Sequence, residues 1–115
     1  MIGGSHFMRN ARTAPLFDLA DLGEYPAMLE GGHTSIEGEL YEISTQLFPA
    51  LDEFEGVPKL FRRAIIELED GTHAFAYLYS AGDLQNTPRI ESGSWKLHVR
   101  KRPDTERSAA LKQKS

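Results

Sequence analysis

The segment Ala64-Ile-Ile-Glu-Leu-Glu-Asp-Gly-Thr-His-Ala-Phe-Ala-Tyr-Leu-Tyr79 decides the fold class. Ala64, Ile66 and Leu68 alternate with Ile65, Glu67 and Glu69, and beyond the break His73, Phe75, Tyr77 and Tyr79 alternate with Ala74, Ala76 and Leu78. A period of two places each set on one face of an extended strand. Asp70-Gly71 between the runs supplies the left-handed conformation of a tight hairpin. Two antiparallel strands follow, so the chain is not an all-helical domain.

Working toward the N-terminus, Ser35–Ile43 predicts a further strand, with Ile36, Gly38 and Leu40 on one face and Glu37, Glu39, Tyr41 and Ile43 on the other. Gly38 has no side chain to pack, which suits a bend or the close approach of another group. Between this strand and the hairpin lies a helical pattern. Ser44 or Thr45 can cap it, Leu47, Ala50, Leu51 and Phe54 make its apolar stripe, and Gly56 stops it. Pro49 falls near the first turn, where a missing N–H costs little.

Glu55, immediately before that glycine, projects about 40° from Leu51 on an ideal helix, whereas Asp52 and Glu53 turn outward. A carboxylate beside an apolar stripe and at the negative end of a helix has its charged form disfavoured. Its pKa is thereby expected to rise toward the range useful for general acid–base work. The alternative is an ordinary carboxylate at a frayed helix end.

The flanks are less patterned. Residues 1–12 read as a poorly ordered lead-in, and the segments around Pro15–Leu19 and Asp21–Met28 as brief strands and turns broken by Gly and Pro. Residues 13–100 make the domain, with Ile90–Val99 adding a last strand or turn around Trp95. Residues 101–115 are expected to be a flexible basic tail: residues 96–115 carry about +5 and the rest of the chain about −9.

Composition narrows the chemistry. At 115 residues there is one core. The absence of cysteine removes thiol catalysis and disulfides, and a cytoplasmic location is the simplest expectation without a signal-like or membrane-spanning run. His6, His33, His73 and His98 are scattered, so no metal site is expected, and there is no glycine-rich phosphate loop or Gly-x-Ser-x-Gly elbow. Nucleic-acid binding would rest on the tail alone and is not expected, since no aromatics beyond Trp95 interleave its basic residues.

The order of segments resembles a known family. Gly23-Glu24-Tyr25-Pro26-Ala27, Gly38-Glu39-Leu40-Tyr41-Glu42, Leu51-Asp52 with Glu55-Gly56, Phe61-Arg62-Arg63, the hairpin, and Ser92-Gly93-Ser94-Trp95 are similar to the gamma-glutamylcyclotransferase-like family with its AIG2-like branch. The resemblance covers roughly residues 11–98 and implies an α+β fold, a small mixed β-barrel with flanking helices. It implies Glu55 as general acid/base, Tyr25 and Phe61 at substrate-binding positions, and no cofactor or metal. The implied reaction cyclises a small gamma-glutamyl amine or peptide to 5-oxoproline and releases the amine.

Two departures accompany it. The family's apolar first strand with its Tyr-Gly-Thr-Leu or Tyr-Gly-Ser-Leu loop, which holds the substrate carboxylate, is missing from the sequence, and Phe61 stands where the family usually has tyrosine. An unpaired strand leaves an exposed edge, so a homo-oligomer paired along the barrel is expected. The alternative function is a non-catalytic relative that serves as a small-molecule or protein-binding module.

Overall fold

The computed structural model describes residues 5–101. The elements in order are β1 (Ser5–Arg12), β2 (Phe17–Asp21), β3 (Pro26–Glu30), β4 (Glu37–Ile43), a 3-10 turn at Thr45–Leu47 running into α1 (Phe48–Phe54), β5 (Phe61–Glu67), β6 (His73–Tyr79) and α2 (Trp95–Arg100). The strands pair antiparallel as β1 with β4, β2 with β3 and β5 with β6.

The hairpin has the expected register, from Phe61 opposite Tyr79 to Glu67 opposite His73. Its inner face supplies Ile66, Leu68 and Leu78 to a core that also contains Phe17, Leu19, Ile36 and Ile90, while Ile65 on the outer face is 65% exposed. Alternation therefore sorts this segment correctly. At the turn, the Asp70 carboxylate accepts from both the Thr72 backbone N–H and its hydroxyl, at 3.1 and 2.6 Å.

Thr13 joins the ladders. Its N–H donates to the Ile36 carbonyl at 3.0 Å, its hydroxyl oxygen accepts from the Ile36 N–H at 2.9 Å, and its carbonyl accepts from the Ser35 hydroxyl at 2.6 Å. The next N–H, of Ala14, donates to Glu67 of β5 at 3.0 Å. This buried threonine ties β1 and β4 to the hairpin and leaves none of these polar groups without a partner.

Three expectations are corrected. Residues 5–12, read as an irregular lead-in, form β1: a bulge between Phe7 and Arg9 shifts its register on β4, which breaks the period of two that would have marked it. Trp95 begins a helix instead of lying on a strand, capped by the Ser94 hydroxyl oxygen, which accepts from the Leu97 N–H. Among the described residues the strands form three two-stranded ladders, with single bridges at Thr13–Leu68, Phe17–Thr34 and Ala20–Arg89. The third correction concerns the face that α1 buries.

Phe54, placed on the inward stripe by its spacing, is 84% exposed, and Asp52, expected outward, is half-buried against the hairpin. The contacts explain the rotation. Phe48 meets Phe75 edge-on at 4.9 Å, and the Arg63 guanidinium stacks 4.0 Å over the Phe48 ring. Phe48 and Asp52 are four residues apart and share a helix face, so this cation–aromatic contact turns Asp52 toward β5 and β6. The basic tail expected at 101–115 lies, apart from Lys101, outside the described residues.

Candidate active site

A cleft of about 660 Å³ opens between the β2–β3 turn, the end of α1, the start of the hairpin and α2. Glu55, Tyr25 and Phe61 all line it, together with Phe54, Tyr77 and Trp95. Three separate stretches of sequence thus meet at one place. The volume suits a small ligand, and the walls are largely apolar.

Local structure fixes each wall. Asp21 accepts from the Gly23 N–H at 2.7 Å, Gly23 takes a φ of +100°, and the Leu22 N–H donates to the Tyr25 carbonyl at 3.1 Å. This tight turn sets Tyr25 at the cleft mouth. At the far wall, Gly93 takes a φ of +70° and a Cβ there would overlap the Ser35 carbonyl oxygen. Only glycine lets the chain pass so close before Ser94 starts α2. The other Asp21 oxygen lies 2.7 Å from His98 Nε2, which pins α2 beside the turn.

Glu55 is the C-cap of α1, and its N–H donates to the Leu51 carbonyl at 2.9 Å. Gly56 follows at a φ of +72° and packs against Leu60. Partial burial raises the Glu55 carboxyl above the usual carboxylate range. This is the direction anticipated from the sequence, with desolvation as its cause.

Sequence reasoning missed the neighbours of Glu55. Arg63 and Tyr77 are register partners on the outer face of the hairpin, and Asp52 of α1 sits over both. The Tyr77 hydroxyl donates to Asp52 Oδ1 at 2.6 Å, and Arg63 Nη1 lies 3.4 Å from the same oxygen. That Arg63 nitrogen makes no hydrogen bond of good geometry, so its link to Asp52 is ionic and aromatic stacking holds the guanidinium in place. Burial pushes the Tyr77 phenol up to about 12, reinforced by the hydrogen bond and charge of Asp52, opposed by Arg63, and raised again by the Glu55 charge. Alternation could have placed Tyr77 beside Arg63, but it carries no sign that a helix covers that face.

Glu37, read as part of a solvated carboxylate pair, also reaches the cleft and accepts from the Ser94 hydroxyl at 3.0 Å. Phe61 stacks edge-on with its register partner Tyr79 at 5.6 Å, so it offers the cleft an apolar surface and no hydroxyl. Among the described residues, no three acidic or histidine side chains form a group able to hold a metal ion, and no helix is long and apolar enough to cross a membrane. The arrangement can move a proton at Glu55 on a small molecule held against apolar and aromatic walls.

A small α+β domain with one partly buried carboxylate in an aromatic-walled cleft is the class of protein that fold and site define. The profile of the gamma-glutamyl cyclotransferase, AIG2-like family matches residues 1–97, and the chain belongs to that family. It is 39% identical over 95 residues to a Vibrio cholerae protein named "Putative gamma-glutamylcyclotransferase", covering 79% of this chain and 76% of the relative. It is 31% identical over 91 residues to gamma-glutamylaminecyclotransferase A of Danio rerio, covering 70% of this chain and 56% of that protein. Among solved structures, an AIG2-like protein of Mus musculus superposes with a TM-score of 0.63 at 27% identity, covering 76% of this chain and 69% of the other. A uropathogenic E. coli-specific protein shares the fold at a TM-score of 0.73 and 23% identity, covering 87% of this chain and 80% of that one.

Proposed function

We propose that this chain is a gamma-glutamylcyclotransferase that closes a small gamma-glutamyl amine or peptide to 5-oxoproline, with Glu55 as general acid and base. The observation that carries the reading is the convergence of Glu55, Tyr25 and Phe61 on one cleft in which Glu55 has a raised pKa. The family and the names of its relatives support the same chemistry, and they do not favour a non-catalytic binding module.

In this mechanism the Glu55 carboxylate takes one proton from the substrate's α-ammonium, and the freed amine attacks the gamma carbonyl. A carbon–nitrogen bond forms as the ring closes. Glu55 returns its proton to the departing nitrogen as the old carbon–nitrogen bond breaks. The ring nitrogen then loses its second proton to Glu55, which passes it to the released amine or to water. The nucleophile is already tethered, so the protein's work is orientation and proton transfer. A raised Glu55 pKa suits both halves of the cycle, since the same group must accept and donate near neutral pH.

The reading includes self-association through free strand edges. Among the described residues β4 pairs only with β1, and β6 only with β5. Both strands border a groove of about 200 Å³ that Gly38, Leu40, Ala74 and Ala76 help to line. A second copy pairs along these edges, and light scattering at micromolar concentration is expected to give twice the chain mass. The absence of cysteine suits action in the reducing cytoplasm.

The catalytic reading is tested by 5-oxoproline release from a gamma-glutamyl amine. Release by the unmodified chain and its loss in Glu55→Gln support the mechanism, and equal rates oppose it.

A further inference from the structure

The Asp52–Tyr77 contact lies beside Glu55 and has no part in the proton transfers just described. A phenol has one proton to donate and two lone pairs with which to accept. At Tyr77 the proton is committed to Asp52 over 2.6 Å, and Asp52 is held in turn by Arg63. The hydroxyl oxygen is therefore presented as an acceptor. Tyr77 helps form the cleft wall that carries Glu55, and the Glu55 charge is felt at the phenol, which places both groups within electrostatic reach of one ligand.

An acceptor oxygen near the Glu55 carboxylate, in a cleft that Glu37 also lines and whose remaining walls are largely apolar, favours a cationic donor over an anion or a neutral carbonyl. Building on the gamma-glutamyl reading, we propose that the Tyr77 hydroxyl binds the substrate's α-ammonium group, with Asp52 as the positioning residue that keeps the phenol proton turned away from it. The ammonium sits between the Glu55 carboxylate and the Tyr77 oxygen. When Glu55 removes one proton, another N–H stays donated to Tyr77, and the new lone pair on nitrogen is free to face the gamma carbonyl. Phenol ionisation plays no part in this arrangement. Specificity follows from it: a ligand lacking the α-amino group forfeits the Tyr77 contact and gains nothing in exchange.

Binding measurements separate this inference from the reading beneath it. The probes are gamma-glutamyl-n-butylamine and N-butylglutaramate, the same molecule without its α-amino group, titrated by calorimetry into the Glu55→Gln protein and into Glu55→Gln carrying Tyr77→Phe. The expected result is a loss of about tenfold or more for the amine-bearing probe when the hydroxyl is removed, the size of one hydrogen bond to a charged group. The affinity for N-butylglutaramate is expected to stay within about twofold, which also verifies that the double variant is folded. An equal loss for both probes, or no loss for either, overturns the assignment of Tyr77. Failure of the Glu55→Gln protein to bind either probe overturns the gamma-glutamyl reading and this inference with it. A companion variant, Asp52→Asn, is expected to weaken the amine-bearing probe selectively. Weakening of both probes alike assigns Asp52 a purely structural role and overturns its part in the proposal.

Discussion

The Tyr77 hydroxyl donates to Asp52 Oδ1 at 2.6 Å, joining β6 to α1 three residues before Glu55. Asp52 also faces Arg63, the register partner of Tyr77, so a single carboxylate fastens the helix to two adjacent strands. A double-mutant cycle of Asp52→Asn and Tyr77→Phe measures that fastening. The contact is partly exposed, so a coupling of about 1 kcal/mol in urea unfolding is expected, below the upper range for hydrogen bonds to charged groups. Strict additivity of the two changes would show that the contact contributes nothing to stability.

Burial of Tyr77, reinforced by the same contact, sets a high-pH limit. Tyr77 holds its proton to about 12 in the folded chain, against an ordinary value of 10. The unfolded chain therefore gives up this proton first, and stability present below pH 10 is lost as the pH rises toward 12. Ultraviolet difference titration of the unmodified chain against Tyr77→Phe is expected to show one phenol titrating near 12. The Tyr77→Phe protein is expected to lose less stability across this window.

Glu55 acts at the other end of the scale. Burial raises its folded pKa above the unfolded value, so the folded state holds this proton more tightly. Below the ordinary glutamate pKa both states are protonated and the contribution is fully present. It is lost as the pH climbs through the raised folded value. Glu55→Gln stays neutral throughout, so its stability relative to the unmodified chain is expected to rise across that window and level off above it. Chemical unfolding from pH 3 to pH 8 checks the direction, and a constant difference between the two proteins contradicts it.

Two glycines should behave oppositely. A side chain at Gly93 meets the Ser35 carbonyl at a positive φ, so Gly93→Ala is expected to cost about 2 kcal/mol or more and to loosen the start of α2. At Gly38 an added Cβ meets nothing within 4 Å, and Gly38→Ala is expected to be neutral or stabilising by about 0.5 kcal/mol in the single chain. Urea midpoints for the two variants give the comparison directly.

How far the sequence could be read depended on the kind of force at each place. The β5–β6 hairpin was legible because apolar burial and the Asp70-Gly71 turn impose a period and a stop. Glu55 was legible because Gly56 ends its helix. Strand β1 was hidden by the Phe7–Arg9 bulge, and α2 is only six residues long, too short to display a helical period. The facing of α1 was misread because hydrophobic spacing cannot register a guanidinium stacked on Phe48. That one contact turned Asp52 inward and left Phe54 exposed at the cleft. The network behind Glu55 thus came from tertiary packing that no local pattern encodes, while the three anticipated cleft residues came from separate local motifs that the fold brings together.

The central claim is proton transfer at Glu55, and 5-oxoproline release from a gamma-glutamyl amine measures it most directly. The unmodified chain is expected to release 5-oxoproline with a kcat/KM that rises with pH as the Glu55 carboxyl ionises, and Glu55→Gln to lose about 100-fold or more of that activity. Equal rates of release by the two proteins would contradict the account.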